Sequence, residues 1–90
     1  MHAVVVRVTV NDREAAVKRL KEETIPRVQQ LPGVVAGYWT RSDDEGKDGV
    51  SMVVFESEDA ARAAAEQVPQ MASGPVTLES VEVREVVASL

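Results

Sequence analysis

His2-Ala3-Val4-Val5-Val6-Arg7-Val8-Thr9-Val10 is the stretch that decides the fold. Side chains alternate across a β-strand. His2, Val4, Val6, Val8 and Val10 therefore line one face, and Ala3, Val5, Arg7 and Thr9 the other. Both faces are largely apolar. A sheet built on such strands needs shielding on two sides, and the rest of the chain holds only enough helix for one. The second cover comes from a partner, most simply another copy of the chain.

Working outward, Asn11 offers a capping side chain, and Glu14 three residues on completes a capping box at a helix start. Val17, Leu20, Thr24, Val28 and Leu31 follow at spacings of three and four, which places them on one helical face. Pro26 interrupts that face. It removes the hydrogen bond to the Glu22 carbonyl, so a kink or a restart is expected there. Pro32-Gly33 ends the helix.

A second strand runs over 34–41 and a third over 50–55, joined by a polar, glycine-punctuated hairpin loop at 42–49. Ser57 caps a second helix, with Glu58 and Asp59 at the positive end of its dipole. Ala61, Ala64, Ala65 and Val68 give that helix a small-residue face, and Pro69 is expected to stop it. A fourth strand is read over 76–87. The order is βαββαβ, an α+β, ferredoxin-like fold with two helices on one face of a four-stranded antiparallel sheet, as a single domain over residues 1–90.

Composition excludes several function classes. The chain has 90 residues, a formal net charge of −5 and no cysteine. That charge argues against a sequence-independent grip on nucleic acid, which relies on Lys and Arg neutralising phosphates. Arg7, Arg13, Lys18, Arg19 and Lys21 alternate with Asp12, Glu14, Glu22 and Glu23, the pattern of a solvated helix face. Without cysteine there is no disulfide, thiolate metal site or cysteine nucleophile. The valine-rich start is interrupted by Arg7 and reads as a strand, not a signal peptide. No apolar run approaches the roughly 20 residues that span a bilayer. A cytoplasmic location, with no membrane and no nucleic-acid partner, is the expectation.

Pro26-Arg27 and Leu31-Pro32-Gly33-Val34-Val35-Ala36-Gly37-Tyr38-Trp39, followed by Val53-Val54-Phe55-Glu56-Ser57 running into an alanine-rich helix, give the chain a family likeness. It resembles the dimeric α/β-barrel superfamily, and specifically the antibiotic-biosynthesis-monooxygenase-like (ABM-like) domains, over essentially its whole length. The resemblance implies a homodimer in which two sheets face each other as a closed barrel. It also implies ligands held inside the barrel or between sheet and helices. Relatives that oxygenate aromatic polyketides without metal or flavin use an asparagine with tryptophans, which points to Asn11 and Trp39 as the catalytic candidates. Haem-degrading relatives ligate iron through a helix histidine, whereas the one histidine here is His2 on the first strand.

The residues themselves nominate a ligand site. Arg7 is a charge midway along a valine-rich strand; its planar donor fork suits it to anchor an anionic or carbonyl-bearing ligand, and the alternative is an intersubunit salt bridge or a side chain reaching solvent at a strand edge. Tyr38 and Trp39 are adjacent and so point to opposite faces. Each has an apolar body and a hydrogen-bonding tip. Met52 joins them as a pocket residue. The acidic run Asp43-Asp44-Glu45-Gly46-Lys47-Asp48 lacks EF-hand spacing, because Val54 stands where the bidentate glutamate belongs, and it is read as a solvated turn. No metal and no cofactor is expected. Three functions follow: a homodimeric binder of a small apolar or aromatic ligand, a cofactor-independent monooxygenase on an aromatic polyketide- or quinol-type substrate, or a structural dimerisation module with no ligand.

Overall fold

The computed structural model describes residues 1–42 and 47–90. Asp43, Asp44, Glu45 and Gly46, and with them the centre of the expected hairpin loop and acidic turn, lie outside the described residues. Four strands, β1 (His2–Val10), β2 (Val34–Arg41), β3 (Asp48–Phe55) and β4 (Val76–Glu85), form one sheet. Its order is β2-β3-β1-β4, with every neighbouring pair antiparallel. The helical segments are α1 (Arg13–Arg19), α2 (Ile25–Gln29) and α3 (Glu58–Met71). This is the ferredoxin-like βαββαβ arrangement expected from the pattern of the strands.

Strand register sorts the side chains into two faces. Val4 pairs with Val53, Val6 with Ser51 and Trp39 with Ser51 on the side of the helices. Val5 pairs with Met52 and Glu82, Met52 with Tyr38, and Arg7 with Val50 and Ser80 on the other. The core gathers on the helical side around Val4, Val28, Val53, Phe55, Ala61, Ala64 and Val68, all buried. α3 packs on β4, β1 and β3. Its Ala61 and Ala64 contribute the small contacts that let a helix lie close to a sheet, and Ser57 caps it by accepting a hydrogen bond from the Ala60 amide at 3.1 Å.

Four sequence expectations need correction, the first being the start of β3, which lies at Asp48 and not at Val50. The first helix is capped by Asp12, which accepts from the Ala15 amide at 3.1 Å, and not by Asn11. The Asn11 and Asp12 amides both donate to the Pro75 carbonyl, and the Asn11 side chain donates to Thr77 Oγ1 at 2.9 Å. Those bonds commit Asn11 to the β1–β4 edge and leave the cap to its neighbour. Pro69 does not stop α3, which runs on to Met71. The helix forgoes one hydrogen bond there, but continuing it carries Met71 onto the core. β4 ends at Glu85, two residues short of the expected limit.

Pro26 acts as expected, by a specific device. Between α1 and α2 the chain makes a π-helical turn over Leu20–Thr24, in which the Ile25 amide reaches back five residues to the Leu20 carbonyl. The wide turn accommodates the ring that would collide with the Glu22 carbonyl in a regular helix. Pro26 then stands in the first turn of α2.

Candidate functional site

The first helical arm runs from α1 through the π turn into α2, and of the residues in these helical turns only Val28 is fully buried. Side-chain hydrogen bonds tie it across to the α3 side: Arg19 Nη1 donates to the Ser73 carbonyl at 2.9 Å, and Arg27 Nη2 to Gln70 Oε1 at 3.3 Å. The space left beneath it is a cavity of about 470 Å³.

Local sequence explains both surfaces of the cavity. Its roof is the apolar stripe of the arm: Val17, Leu20, Thr24, Val28 and Leu31, with Ile25 added by the π turn. Its floor is the inward face of β1, Val4 to Val10 at alternate positions, continued by Gly49, Ser51 and Val53 of β3 and by Trp39 of β2. Gly49 is opposite Val8, and a Cβ there would come within 2.7 Å of Val8 Cγ2. Glycine and serine at consecutive inward positions of β3 keep the floor low. Among the described residues, neither the Trp39 indole nor the Ser51 hydroxyl makes a side-chain hydrogen bond, although the two residues are cross-strand partners. Trp39 and Ser51 are thus neighbouring floor residues with polar tips that make no side-chain hydrogen bond among the described residues.

The site residues nominated from sequence do not meet in one place. Trp39 lines this cavity. Tyr38 and Met52 are cross-strand partners on the opposite, open face of the sheet, where they are 64% and 43% exposed. Arg7 is exposed on that same face beside Val50 and Ser80. Asn11 stands outside the cavity lining, occupied with Thr77. Among the described residues there is no cluster of metal-ligating side chains, and no helix is long and apolar enough to cross a membrane.

Sequence reasoning missed Arg13, Lys21 and Arg41, which stand along the cavity edge. The signals were present. Arg13 and Lys21 flank the Val17–Leu20 stripe at helical spacing, and Arg41 is two residues from Trp39 and so shares its face.

A ferredoxin-like sheet roofed by a helical arm over an apolar chamber is a fold found in several solved structures. SnoaB, a cofactor-independent oxygenase from Streptomyces nogalater, is similar at 22% identity and a TM-score of 0.76, over 99% of this chain and 95% of that one. The monooxygenase of ActVA-Orf6 from Streptomyces coelicolor, in complex with nanaomycin D, is similar at 20% identity and a TM-score of 0.62, over 98% and 90%. A dimeric ferredoxin-like protein from an uncultured marine organism is similar at 10% identity and a TM-score of 0.68, over 100% and 98%. No family model matches the sequence, and no curated protein matches it. The likeness establishes the fold.

Proposed function

We propose that the protein is a homodimeric small-molecule-binding protein that holds a flat, apolar or aromatic ligand between its sheet and its first helical arm. The observation that carries this reading is the cavity of about 470 Å³, floored by valines and Trp39. Ligand pockets typically enclose about 300–1,000 Å³, with apolar walls and a few placed polar groups. The Trp39 Nε1–H and the Ser51 hydroxyl supply those groups and suit a carbonyl or phenolic oxygen. The complex of a similarly folded monooxygenase with nanaomycin D supports the choice of an aromatic occupant.

The dimer is proposed through the open face. Val5, Met52, Val54 and Tyr38 form an apolar surface there that the helices do not reach. Burying even about 500 Å² of apolar surface per protomer contributes about 12 kcal/mol before association costs. A dimeric protein of the same fold supports the arrangement. In this assembly Arg7, Tyr38 and Met52 serve the interface or the barrel, and Trp39 serves the ligand.

Trp39 is the one tryptophan, so its fluorescence reports the site directly. Titration with a tricyclic quinone should quench Trp39 emission saturably, and the same titration should leave a Trp39→Phe variant without signal. No quenching, together with a crystal structure showing the chamber closed by side chains, would remove the ligand-binding reading.

A second reading is oxygenation of a quinol-type substrate in the same cavity without a cofactor. Two free donors in an apolar chamber favour it, since they are placed to stabilise an anionic intermediate. Quinol-dependent oxygen uptake, lost on Trp39→Phe, separates this enzyme from a binder.

A further inference from the structure

The cavity opens toward a shallow hollow on the outside of the molecule, lined by Arg13, Glu14, Val17, Lys18, Lys21 and Arg41. Arg13, Val17, Lys21 and Arg41 belong to both, so the hollow and the cavity share an edge. Four of the six side chains are cationic and one, Glu14, is anionic. This concentration of positive charge runs against a chain whose formal net charge is −5.

The partners of these cations sharpen the point. The described ion pairs go elsewhere: Arg19 to Glu23, Arg62 to Glu58 and Arg84 to Glu82. Among the described residues, Arg13, Lys18, Lys21 and Arg41 make no salt bridge and no side-chain hydrogen bond, and Glu14 bonds to none of them. The arm is rich in glutamate, yet Glu22 and Glu23 lie away from this edge. The cations come from two separate elements, α1 with its π turn and the end of β2, and converge only because Arg41 follows Trp39 at the next inward position of the strand.

From this we infer that the ligand is an anion: an apolar, planar body that enters the chamber beneath the arm, carrying a carboxylate or similarly ionised oxygen group that remains at the mouth against Arg13, Lys21 and Arg41. This inference rests on the cavity being the ligand site and adds the chemical class of what fills it. Unpaired guanidinium groups offer bidentate geometry to a carboxylate. At the edge of a low-dielectric chamber their attraction is stronger than in open water. The body supplies affinity through burial, while the charged end fixes which way round the ligand lies.

Two dyes that differ only in the anionic group provide the test: 8-anilinonaphthalene-1-sulfonate and N-phenyl-1-naphthylamine, the same ring system without the sulfonate. Fluorescence titration of the wild-type chain should show the sulfonate bound about tenfold more tightly, the effect expected of one charge-assisted contact at a partly exposed site. Arg13→Gln combined with Arg41→Gln should abolish that preference and leave the affinity for the neutral dye unchanged. Tyr38→Ser, on the far side of the sheet, should alter neither. In the wild type, the Nε–H resonances of Arg13 and Arg41 should shift with the sulfonate and stay in place with the neutral dye, a readout that needs no variant to fold. Equal binding of both dyes, or a sulfonate preference that survives the double substitution, overturns the anionic assignment and leaves the cavity standing. Failure of both dyes to bind overturns the cavity as a ligand site, and this inference with it.

Discussion

The indole of Trp39 lies over Gly37. A Cβ added at Gly37 would stand 3.1 Å from Trp39 Cζ3 and 3.2 Å from Cη2. The two residues occupy successive inward positions of β2, and the missing side chain at 37 lets the ring lie down along the strand as a wall of the cavity. Gly37 therefore sets the pose of the residue on which the proposed site depends.

Gly37→Ala tests that dependence. Its φ is not positive, so alanine fits the backbone, and replacing glycine in a strand recovers about 0.5–1 kcal/mol of conformational entropy. Against this, the ring must give by a few tenths of an ångström. The two effects nearly offset, so the melting temperature should change little while Trp39 emission and quinone quenching both change. Gly37→Val, which adds two more methyl groups under the ring, should cost about 1–3 kcal/mol in denaturant unfolding. A Gly37→Ala chain with unaltered Trp39 fluorescence and ligand affinity would show that the ring is positioned by something else.

Much of the architecture could be read from the chain because β1 and β3 pair with an unbroken period of two, while the β1–β4 and β2–β3 pairings each shift register once. The division of Tyr38 from Trp39, the common face of Val4 to Val10, and the stripe from Val17 to Leu31 follow from side-chain geometry alone, but not which sheet face turns inward, because both are apolar. The choice between Asn11 and Asp12 as cap did not, because adjacent residues of equal capping power are separated only by the distant Pro75 carbonyl and Thr77 hydroxyl. Nor did the cavity. Periodicity shows that the Val17–Leu31 stripe turns toward the sheet, but not how far it stands off. The arm's placement depends on contacts distant in sequence, among them the bonds of Arg19 to Ser73 and of Arg27 to Gln70, more than forty positions along the chain. Arg13 and Lys21 are exposed, as the solvated helix face expected from the sequence requires; that they and Arg41 also line the cavity shows only once the opposite wall is known.

The open sheet face should govern assembly. Tyr38 on the edge strand β2 and Met52 on β3 are cross-strand partners, and both are exposed in the single chain. Introducing Tyr38→Glu together with Met52→Glu would place charges where a second sheet should sit, and unpaired buried charge costs several kcal/mol. Analytical ultracentrifugation should show a dimer for the wild type and at least a hundredfold weaker self-association for the double variant. Its circular dichroism should remain that of a folded chain, because neither side chain belongs to the core around Phe55. A wild-type chain that sediments as a monomer at micromolar concentration would refute the proposed dimer.

At the start of α3, Arg62 reaches back one turn to Glu58, with Nη2 to Oε2 at 2.6 Å. The hydrogen bond and charge of Arg62 hold the Glu58 carboxyl below its ordinary value of 4.5. A carboxyl lowered on folding adds stability that is present above the unfolded value and is lost as pH falls through the folded one. Both side chains are about half exposed or more, so solvent screens the pair and the contribution is small. Carboxyl-carbon NMR should place the Glu58 midpoint below 4.5, and Arg62→Gln should move it back up. A midpoint unchanged by that substitution would assign the shift to the helix dipole instead.

Ser51 offers the sharpest contest between stability and binding. It sits on the cavity floor between Val6 and Trp39, and its hydroxyl has no side-chain hydrogen bond partner among the described residues. Replacing it with leucine removes no bond and fills part of the chamber with apolar volume. Each additional buried methylene stabilises by about 0.8 kcal/mol, so Ser51→Leu should raise the midpoint of urea unfolding by an amount worth about 1–2 kcal/mol. The same substitution should abolish the quenching of Trp39 by a tricyclic quinone, since the ligand and the new side chain compete for one space. Ser51→Ala, which leaves the chamber open, should retain binding, weakened only by the loss of one donor. If Ser51→Leu were instead destabilising, the floor would already be packed and the cavity would not be there to fill.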